Sequence, residues 1–199
     1  MLDEKQQLEL LRQILLLNEL EGNQNAAYRF SDPDGVKTGK SGWSYGESQF
    51  DTQNNPIALE CLKQCGFTLE QIDGIVKQTV DIKPLNAILK QKAEIIDRYD
   101  RVQRLSCLRR VKSIAVSKGI IYADDKAVLA AADYDNQFHM SAKMEPGYLC
   151  YHLTKIGRPV TAKDIFKFKL TTKWGRKRPD DVKRRAANIE KVFTDSTGP

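Results

Sequence analysis

The sequence changes character at Gly22 and again at Pro56, and this change most limits what the chain can fold into. Between these positions glycine, asparagine, serine and aspartate alternate with aromatic residues, a composition typical of turns joined by short strands. On both sides, apolar residues recur at helical spacing instead. The pattern predicts a helix, a small β-rich segment and a helical body, which is an α+β fold that is mostly α.

Capping signals set the expected bounds of the helices. The first helix should run from Asp3 to about Leu20, with Asp3 and Gln6 as a capping pair. After Pro56, helices are predicted over residues 57–65, 68–78, 84–100, 102–117, 126–140, 162–168 and 179–193. Within the irregular stretch, residues 27–30 and 43–50 are expected to pair as a small antiparallel sheet.

The length of the chain indicates one domain. With 199 residues, 41% of them hydrophobic, the chain can build one substantial core and is not long enough to require two. We therefore predict a single domain over residues 1–199, in which residues 1–56 hold the first helix and a β-rich catalytic segment and residues 57–199 form the helical body. Such a plan suggests a small lobe and a larger helical lobe around a cleft.

Charge and targeting signals bear on the partner and the compartment. The formal net charge of +6 should draw the surface towards polyanions, among them bacterial cell wall, anionic membrane and nucleic acid. Glu9 and Arg12 interrupt the first segment before an apolar run develops, so we expect neither a signal peptide nor membrane insertion. Synthesis in the cytoplasm is the expectation, and any route to another compartment would need other machinery.

Three short sequence patterns resemble known ligand-binding motifs without matching them. Cys61 and Cys65 lie four residues apart, which is not zinc-knuckle spacing, so the four cysteines are interpreted as free, buried or half-buried thiols. The run GVKTGKS over residues 35–41 is one residue short of a phosphate-binding loop and has no buried strand before it. Asp32-Pro-Asp34-Gly35 begins like a calcium loop, but its glycine comes too early. No metal and no cofactor is expected.

The irregular stretch also concentrates acidic residues in a pattern that suits carbohydrate cleavage. A glycosidase needs a protonated carboxylic acid beside the leaving oxygen and a second carboxylate across the scissile bond. Glu21 follows an apolar helix, where burial would favour its protonated form. Asp32 lies in a polar turn and should stay ionised. On these arguments alone, a purely structural role for both residues stays open.

The same residues form an ordered pattern that resembles the phage-type lysozymes of the lysozyme superfamily. The pattern reads, in order, Glu21-Gly22, Ala27-Tyr28, Asp32, Gly35 and Thr38. The piece from Gly42 to Asp51 is similar to the hairpin of goose-type lysozymes and lytic transglycosylases. Two departures stand out: the spacer before Asp32 is longer than the family's usual form, and Gly-Lys-Ser-Gly-Trp replaces a tight Thr-x-Gly-x-Gly run.

The resemblance implies a lysozyme-like fold and a muramidase that hydrolyses the β-1,4 bond between N-acetylmuramic acid and N-acetylglucosamine of bacterial peptidoglycan. It assigns Glu21 as the general acid, with Asp32 and Thr38 holding or activating water beneath the sugar. Asp34 and Asp51 remain alternatives for the second carboxylate. The side chains expected to contact the glycan are Tyr28, Ser44, Tyr45, Gln49, Asp51, Tyr134 and Asn136. The enzyme would act on a periplasmic or extracellular wall after release or delivery, and an immunity or delivery partner stays undefined.

Three other interpretations stay open. A lytic transglycosylase would use Glu21 alone and let a muramyl hydroxyl attack. A catalytically silent module would bind wall glycan without cleaving it. A nucleic-acid-binding protein would use the basic run from Lys173 to Arg178, with Trp174 stacking on a base, although Asp180 and Asp181 interrupt this run and disfavour nucleic acid.

Overall fold

The computed structural model describes residues 2–32, 35 and 41–196. The chain divides into two compact units. The helical unit consists of the residues up to Asn18 and those from Arg104 onwards, and the hairpin unit runs from Glu19 to Gln103. The sequence predicted a single domain with an internal division at residue 56, whereas the observed division lies at residues 18 and 103.

The described residues are mostly helical, with one two-stranded antiparallel sheet, which confirms the α+β, mostly α, fold class. A 3₁₀ helix covers Gln24–Tyr28, and strands β1 and β2 cover Ser44–Tyr45 and Phe50–Asp51. Helices α1 to α10 cover, in order, Glu4–Leu20, Pro56–Gln64, Leu69–Val76, Ile82–Gln91, Ala93–Lys118, Asp125–Phe138, Leu149–Leu153, Ala162–Thr171, Lys173–Lys177 and Pro179–Ser196. None of the helices in the described ranges has both the length and the apolar character that crossing a membrane requires.

Local capping explains why several helices begin where the sequence predicted. At the start of α1, the Gln6 amide donates to Asp3 Oδ1 at 2.7 Å and the Asp3 amide donates to Gln6 Oε1 at 3.0 Å, which confirms the capping pair. Thr68 and Gln71 form the same reciprocal arrangement before α3. Pro56 occupies the first turn of α2 behind its cap Asn55, where a missing N–H costs no hydrogen bond.

The boundary between α4 and α5 differs from the prediction. The sequence predicted helices over 84–100 and 102–117, but α4 begins at Ile82 behind the cap Asp81 and α5 is continuous from Ala93 to Lys118. Pro84 lies in the first turn of α4, where helices tolerate proline, so it does not mark the helix start. The short helices α7 and α9 were not predicted, because five residues carry too little periodicity to recognise.

The small sheet lies within the stretch where the sequence predicted it, with different partners. β1 and β2 pair antiparallel with Ser44 opposite Asp51 and Tyr45 opposite Phe50. The third partner is Ser31, which exchanges two backbone hydrogen bonds of 2.8 Å with Ser44. Residues 27–30 do not pair with this strand as predicted, because residues 24–28 form the 3₁₀ helix. Ser31, Ser44 and Asp51 therefore stand in one row across the sheet.

An aromatic cluster fills the core of the hairpin unit. The ring of Phe30 lies 5.5 Å from that of Tyr45, 6.1 Å from that of Trp43 and 6.2 Å from that of Phe67, measured between centroids. The Tyr45 hydroxyl donates to the carbonyl oxygen of Ala58 at 2.6 Å, which ties the sheet to α2. Behind this cluster lie Cys61 and Cys65, and all four cysteines are free and buried as the sequence predicted.

Within the hairpin unit, Asp100 of α5 binds the turn between β1 and β2. It is fully buried, and its two carboxylate oxygens accept the amide protons of Glu47 at 2.7 Å and Ser48 at 2.8 Å. Gly46 begins this turn at a φ of +79°, and a Cβ there would lie 2.8 Å from the Phe50 ring and 2.9 Å from Asp100 Oδ2. The turn can therefore approach α5 closely only with glycine at this position.

We expect Asp100→Ala to lower the free energy of unfolding by about 3 kcal/mol, because two buried amides lose their acceptors. Urea denaturation monitored by circular dichroism measures the loss. Asp97→Ala is the matched control, since Asp97 lies on the same helix but is exposed, and among the described residues it accepts a hydrogen bond from the Tyr28 hydroxyl alone. The control should lose less than about 1 kcal/mol. Equal losses in the two variants would contradict the role given to Asp100.

The helical unit packs its helices around α6, whose alanine-rich face is buried. A buried ionic network crosses this core. Asp133 of α6 accepts hydrogen bonds from Arg185 of α10 at 2.8 and 3.2 Å and from the Asn18 amide at 2.9 Å. Asp133 and Arg185 are each about 1% exposed. Burial opposes the ionised form of Asp133, but the positive charges of Arg185 and Lys169 outweigh this and hold its pKa below the usual value.

Candidate active site

Glu21 occupies a backbone conformation that glutamate rarely adopts. It follows the last residue of α1 at a φ of +52°, and Gly22 comes next at +82°. The Asn23 amide donates to the Leu20 carbonyl oxygen at 2.8 Å, so both central residues of this turn lie in the left-handed region. A left-handed conformation costs a non-glycine residue roughly 1–2 kcal/mol. The helix therefore ends in a way that glycine or asparagine would satisfy with less strain.

The Glu21 side chain is exposed, which corrects the expectation that the apolar helix would bury it. The turn explains the difference, because the positive φ carries the chain away from the apolar face of α1. Within the described part of the chain, the Glu21 carboxylate makes no hydrogen bond and no ion pair. It also lies at the helix C-terminus, where the macrodipole disfavours negative charge. This carboxylate thus contributes nothing that stabilises the fold.

Asp32 lies at the edge of the small sheet. It comes directly after Ser31, which bridges to Ser44. Its side chain is half-buried, and Oδ1 accepts the Gly35 amide at 2.9 Å in a local turn. Asp32 and Glu21 both belong to the hairpin unit. Thr38 and Asp34, the other two polar residues predicted beside them, fall outside the described residues.

The Asp51 carboxylate accepts hydrogen bonds from the segments before β1 and after β2. Its Oδ1 accepts the amides of Gly42, Gln53 and Asn54 at 2.9, 2.8 and 3.3 Å. Its Oδ2 accepts the Asn54 side-chain amide at 2.7 Å. Four donors on one carboxylate are typical of a turn-forming aspartate. Asp51 is therefore a weaker alternative to Asp32 as the second carboxylate than the sequence indicated.

Gln49 braces the hairpin turn from the inside. Its backbone lies at a φ of +52°, and its side-chain amide donates to the Gly46 carbonyl oxygen at 3.0 Å. Its Oε1 accepts the Ser31 hydroxyl proton at 2.8 Å. These bonds join the turn to the segment that leads into Asp32. Gln49 is half-buried, so the structure leaves part of its surface accessible to a ligand.

Three of the side chains predicted to contact glycan are buried. Ser44 is 2% exposed, Tyr45 is fully buried, and Tyr134 is 1% exposed. Tyr45 packs in the aromatic cluster, and Tyr134 packs against Phe138 and Phe168 in the helical unit. A side chain with almost no exposed surface cannot touch a sugar. The prediction that these three side chains contact glycan is therefore wrong, and all three are buried instead. Asn136, also in the helical unit, is half-buried.

Tyr28 is the one predicted aromatic contact with accessible surface in the hairpin unit. It ends the 3₁₀ helix and is half-buried. Its hydroxyl donates to Asp97 Oδ1 at 2.8 Å, which fixes the ring against α5. Burial, with the Asp97 carboxylate beside it, raises the pKa of Tyr28 to about 12. The phenol is therefore neutral at physiological pH, and its ring presents a fixed surface.

Sequence reasoning missed the residues that surround Tyr28. A shallow, open pocket of about 280 Å³ is lined by Asn25, Tyr28, Arg29, Asn86, Ala87 and Lys90. The 3₁₀ helix and Arg29 supply one wall and α4 supplies the other. Nothing in the sequence connects these segments, because more than fifty residues separate them along the chain. Only the Ala-Tyr motif before Arg29 gave any signal.

Other candidate ligand sites receive no support from the structure. The described residues contain no group of three or more histidine, cysteine, aspartate and glutamate side chains placed to hold a metal ion. In the basic C-terminal run, the Trp174 ring packs against Phe138 with centroids 5.2 Å apart, and the Lys169 ammonium lies 5.2 Å from the Trp174 centroid. Part of the Trp174 ring surface is therefore covered by internal contacts, and the ring is less available for stacking on a base.

Comparisons with protein-family models, with curated proteins and with solved structures found no match to this chain.

Proposed function

We propose that the protein is a peptidoglycan-cleaving muramidase in which Glu21 protonates the leaving oxygen of the β-1,4 bond between N-acetylmuramic acid and N-acetylglucosamine. The observation that carries this proposal is the state of Glu21: exposed, at a positive φ and without a bonding partner in the described residues. Backbone strain of this kind concentrates at functional sites, where the surrounding structure holds a residue against its preference.

The position of Glu21 suits an acid that acts on a polymer. An exposed carboxyl group can reach a glycosidic oxygen, and a glycan lying over it would remove water from the same group. Since the described structure gives the carboxylate no bond of its own, a substrate would not have to displace one. The resemblance to phage-type lysozymes assigns the acid to this same residue.

Asp32 is the second carboxylate of the proposal. It lies in the same unit as Glu21 and is half-buried at the edge of the sheet. In a hydrolase, it would direct a water molecule to the sugar from the side opposite the acid, with Thr38 assisting. Asp51 serves this role less well because both of its oxygens already accept hydrogen bonds from the chain.

The charge distribution favours an anionic polymer as substrate. The helical unit carries 22 lysines and arginines against 13 aspartates and glutamates, whereas the hairpin unit carries 10 against 13. The positive charge of the chain therefore belongs to the unit without Glu21 and Asp32. A basic surface of this kind raises the concentration of a protein on an anionic wall. The target would be periplasmic or extracellular wall reached after release or delivery.

A lytic transglycosylase is the second candidate, and one observation favours it. Oδ1 of Asp32 already accepts the Gly35 amide, which limits its freedom to direct water. A transglycosylase needs only the acid, because the C6 hydroxyl of the muramyl residue attacks C1 and the leaving sugar takes the proton. The product is then an intramolecular anhydro end, lighter by one water than the hydrolytic product.

Mass spectrometry of digested peptidoglycan tests the proposal and separates the two reactions. Purified sacculi are incubated with the protein, and the new ends are identified. We expect reducing N-acetylmuramic acid ends. Anhydro ends would replace the muramidase with a transglycosylase, and new reducing N-acetylglucosamine ends would contradict both. Wall that is bound without any new end would indicate a non-catalytic glycan-binding module.

A further inference from the structure

The pocket beside Tyr28 offers a ligand two exposed cations and an amide donor. Arg29 and Lys90 are exposed, and neither forms a salt bridge with any residue that the structure describes. Asn86 Oδ1 accepts the Phe30 amide at 2.8 Å, so the NH₂ group of Asn86 remains as a donor. The Tyr28 hydroxyl gives its proton to Asp97. A ligand with negative charge and several acceptor oxygens would satisfy these groups.

The composition of the pocket indicates the chemical class of that ligand. None of the described residues that line it carries a carboxylate, and the neighbouring Asp97 carboxylate accepts the Tyr28 hydroxyl proton. The Tyr28 ring and the Ala87 methyl group add apolar surface, which a bare inorganic anion would not use. Guanidinium and ammonium groups bind carboxylates through charge-assisted hydrogen bonds. A carboxylate attached to a sugar ring fits both kinds of surface.

Part of the pocket is formed by the segment that connects Glu21 to Asp32. Asn25, Tyr28 and Arg29 come from the segment between Glu21 and Asp32, the two carboxylates of the proposed function. Both ends of this segment are held: the Asn23 amide bonds to Leu20, and Ser31 bonds to Ser44. A sugar bound in the pocket would thus contact the stretch of chain that connects the acid to its partner.

We propose that this pocket binds a carboxylate-bearing amino sugar, with the carboxylate between Arg29 and Lys90 and the ring against Tyr28. The inference rests on the proposed function, which it deepens by naming the part of the glycan that the hairpin unit recognises. N-acetylmuramic acid carries a lactyl carboxylate that N-acetylglucosamine lacks, and in wall glycan this group is a free carboxylate where the stem peptide has been removed. The pocket would therefore distinguish the muramyl residues of peptide-free glycan from N-acetylglucosamine.

Titration with free sugars, followed by two-dimensional NMR of the full chain, tests this inference without any cleavage. The probe is N-acetylmuramic acid, and N-acetylglucosamine and inorganic phosphate are the comparison ligands. We expect N-acetylmuramic acid to shift the backbone amide signals of residues 25–29 and 86–90. N-acetylglucosamine should bind at least about tenfold more weakly because it lacks the charged group, a difference of about 1.4 kcal/mol.

Substitutions then assign the binding to the pocket. Arg29→Gln and Lys90→Gln should each weaken the binding of N-acetylmuramic acid about fivefold, and the double variant should remove it. Lys83→Gln is the matched control, because Lys83 is exposed on the same helix α4 but does not line the pocket. Its affinity should equal that of the wild type. Circular dichroism of each variant establishes that the fold is retained.

Two results would overturn the inference. If N-acetylmuramic acid and inorganic phosphate bind with equal affinity, the pocket only attracts negative charge. If Lys83→Gln weakens the binding of N-acetylmuramic acid as much as Arg29→Gln or Lys90→Gln does, the ligand does not bind in the pocket. These outcomes are distinguishable from failure of the proposed function. A protein that cleaves wall but does not bind N-acetylmuramic acid here refutes only the pocket. A protein that binds N-acetylmuramic acid through Arg29 and Lys90 but produces no new ends refutes only the muramidase.

Discussion

Glu21→Gln is expected to lower the rate of wall clearance by about 1,000-fold, within the range that general acid catalysis contributes. Glutamine has the shape of glutamate but no proton to donate to the leaving oxygen. The loss should appear in a turbidity assay on isolated cell walls and in the release of new reducing ends. Clearance at the wild-type rate would exclude Glu21 as the acid.

Glu19→Gln provides the matched control for this prediction. Glu19 is the same residue type two positions earlier on the last turn of α1, and it takes no part in the proposed chemistry. We expect its clearance rate to stay within about twofold of the wild type, since this substitution leaves the proposed general acid in place. Comparable losses in both variants would indicate a general effect of charge at the helix end instead of acid catalysis.

The left-handed backbone conformation of Glu21 allows the role of this residue to be tested through protein stability as well. Glu21→Asn should raise the free energy of unfolding by up to about 1 kcal/mol, because asparagine tolerates the left-handed region and removes a negative charge from the helix C-terminus. Activity should be lost in the same variant. A variant that is more stable and inactive is the expected signature of a residue held for function. A less stable Glu21→Asn protein would instead indicate a structural role for the glutamate.

Asp133→Ala is expected to lower the free energy of unfolding by about 4 kcal/mol, because it leaves the buried Arg185 guanidinium without its carboxylate. Arg185 is 1% exposed, so water cannot replace the lost partner without opening the core. The measurement is urea denaturation at neutral pH. Replacing both partners, as in Asp133→Leu with Arg185→Met, should recover part of the loss because the unpaired Arg185 guanidinium is removed as well.

The Lys126–Glu190 bridge offers a matched control between the same two helices, α6 and α10. Its ammonium and carboxylate lie 3.0 Å apart, and the Glu190 side chain is 63% exposed. Glu190→Ala should cost less than about 1 kcal/mol, as is usual for surface ion pairs. If Asp133→Ala costs no more than Glu190→Ala, the buried network does not stabilise the helical unit as its geometry indicates.

The pH dependence of the Asp133 contribution follows from the direction of its pKa. Its pKa is lowered in the folded protein by Arg185 and Lys169 despite burial, so the carboxylate prefers the folded state when ionised. The stabilisation is therefore complete above the pKa of the unfolded chain, and it is lost as the pH falls through the lower folded value. Wild type should lose more stability than Asp133→Ala on moving from neutral to acidic pH.

The structure contradicts the predicted environments of several side chains, whereas most predicted helices are present. Tyr45 and Tyr134 have the residue type expected of sugar contacts, but both pack in cores. Asp51 stands in a motif that suggests a ligand contact, but its oxygens accept hydrogen bonds from Gly42 before β1 and Asn54 after β2. Glu21 was expected in an apolar environment and is exposed. Residue type alone does not reveal which surface a side chain faces.

Local sequence patterns alone predict the mostly helical α+β class, the capped start of α1 at Asp3, the helix that begins at Pro56 and the free state of the cysteines. These features depend on neighbours within a few positions, where periodicity and caps act. Tertiary packing sets the exposure of Glu21, the hydrogen bonds of Asp51 and the position of Arg29 and Lys90 at one pocket. Such features depend on contacts between segments far apart along the chain, which no local pattern encodes.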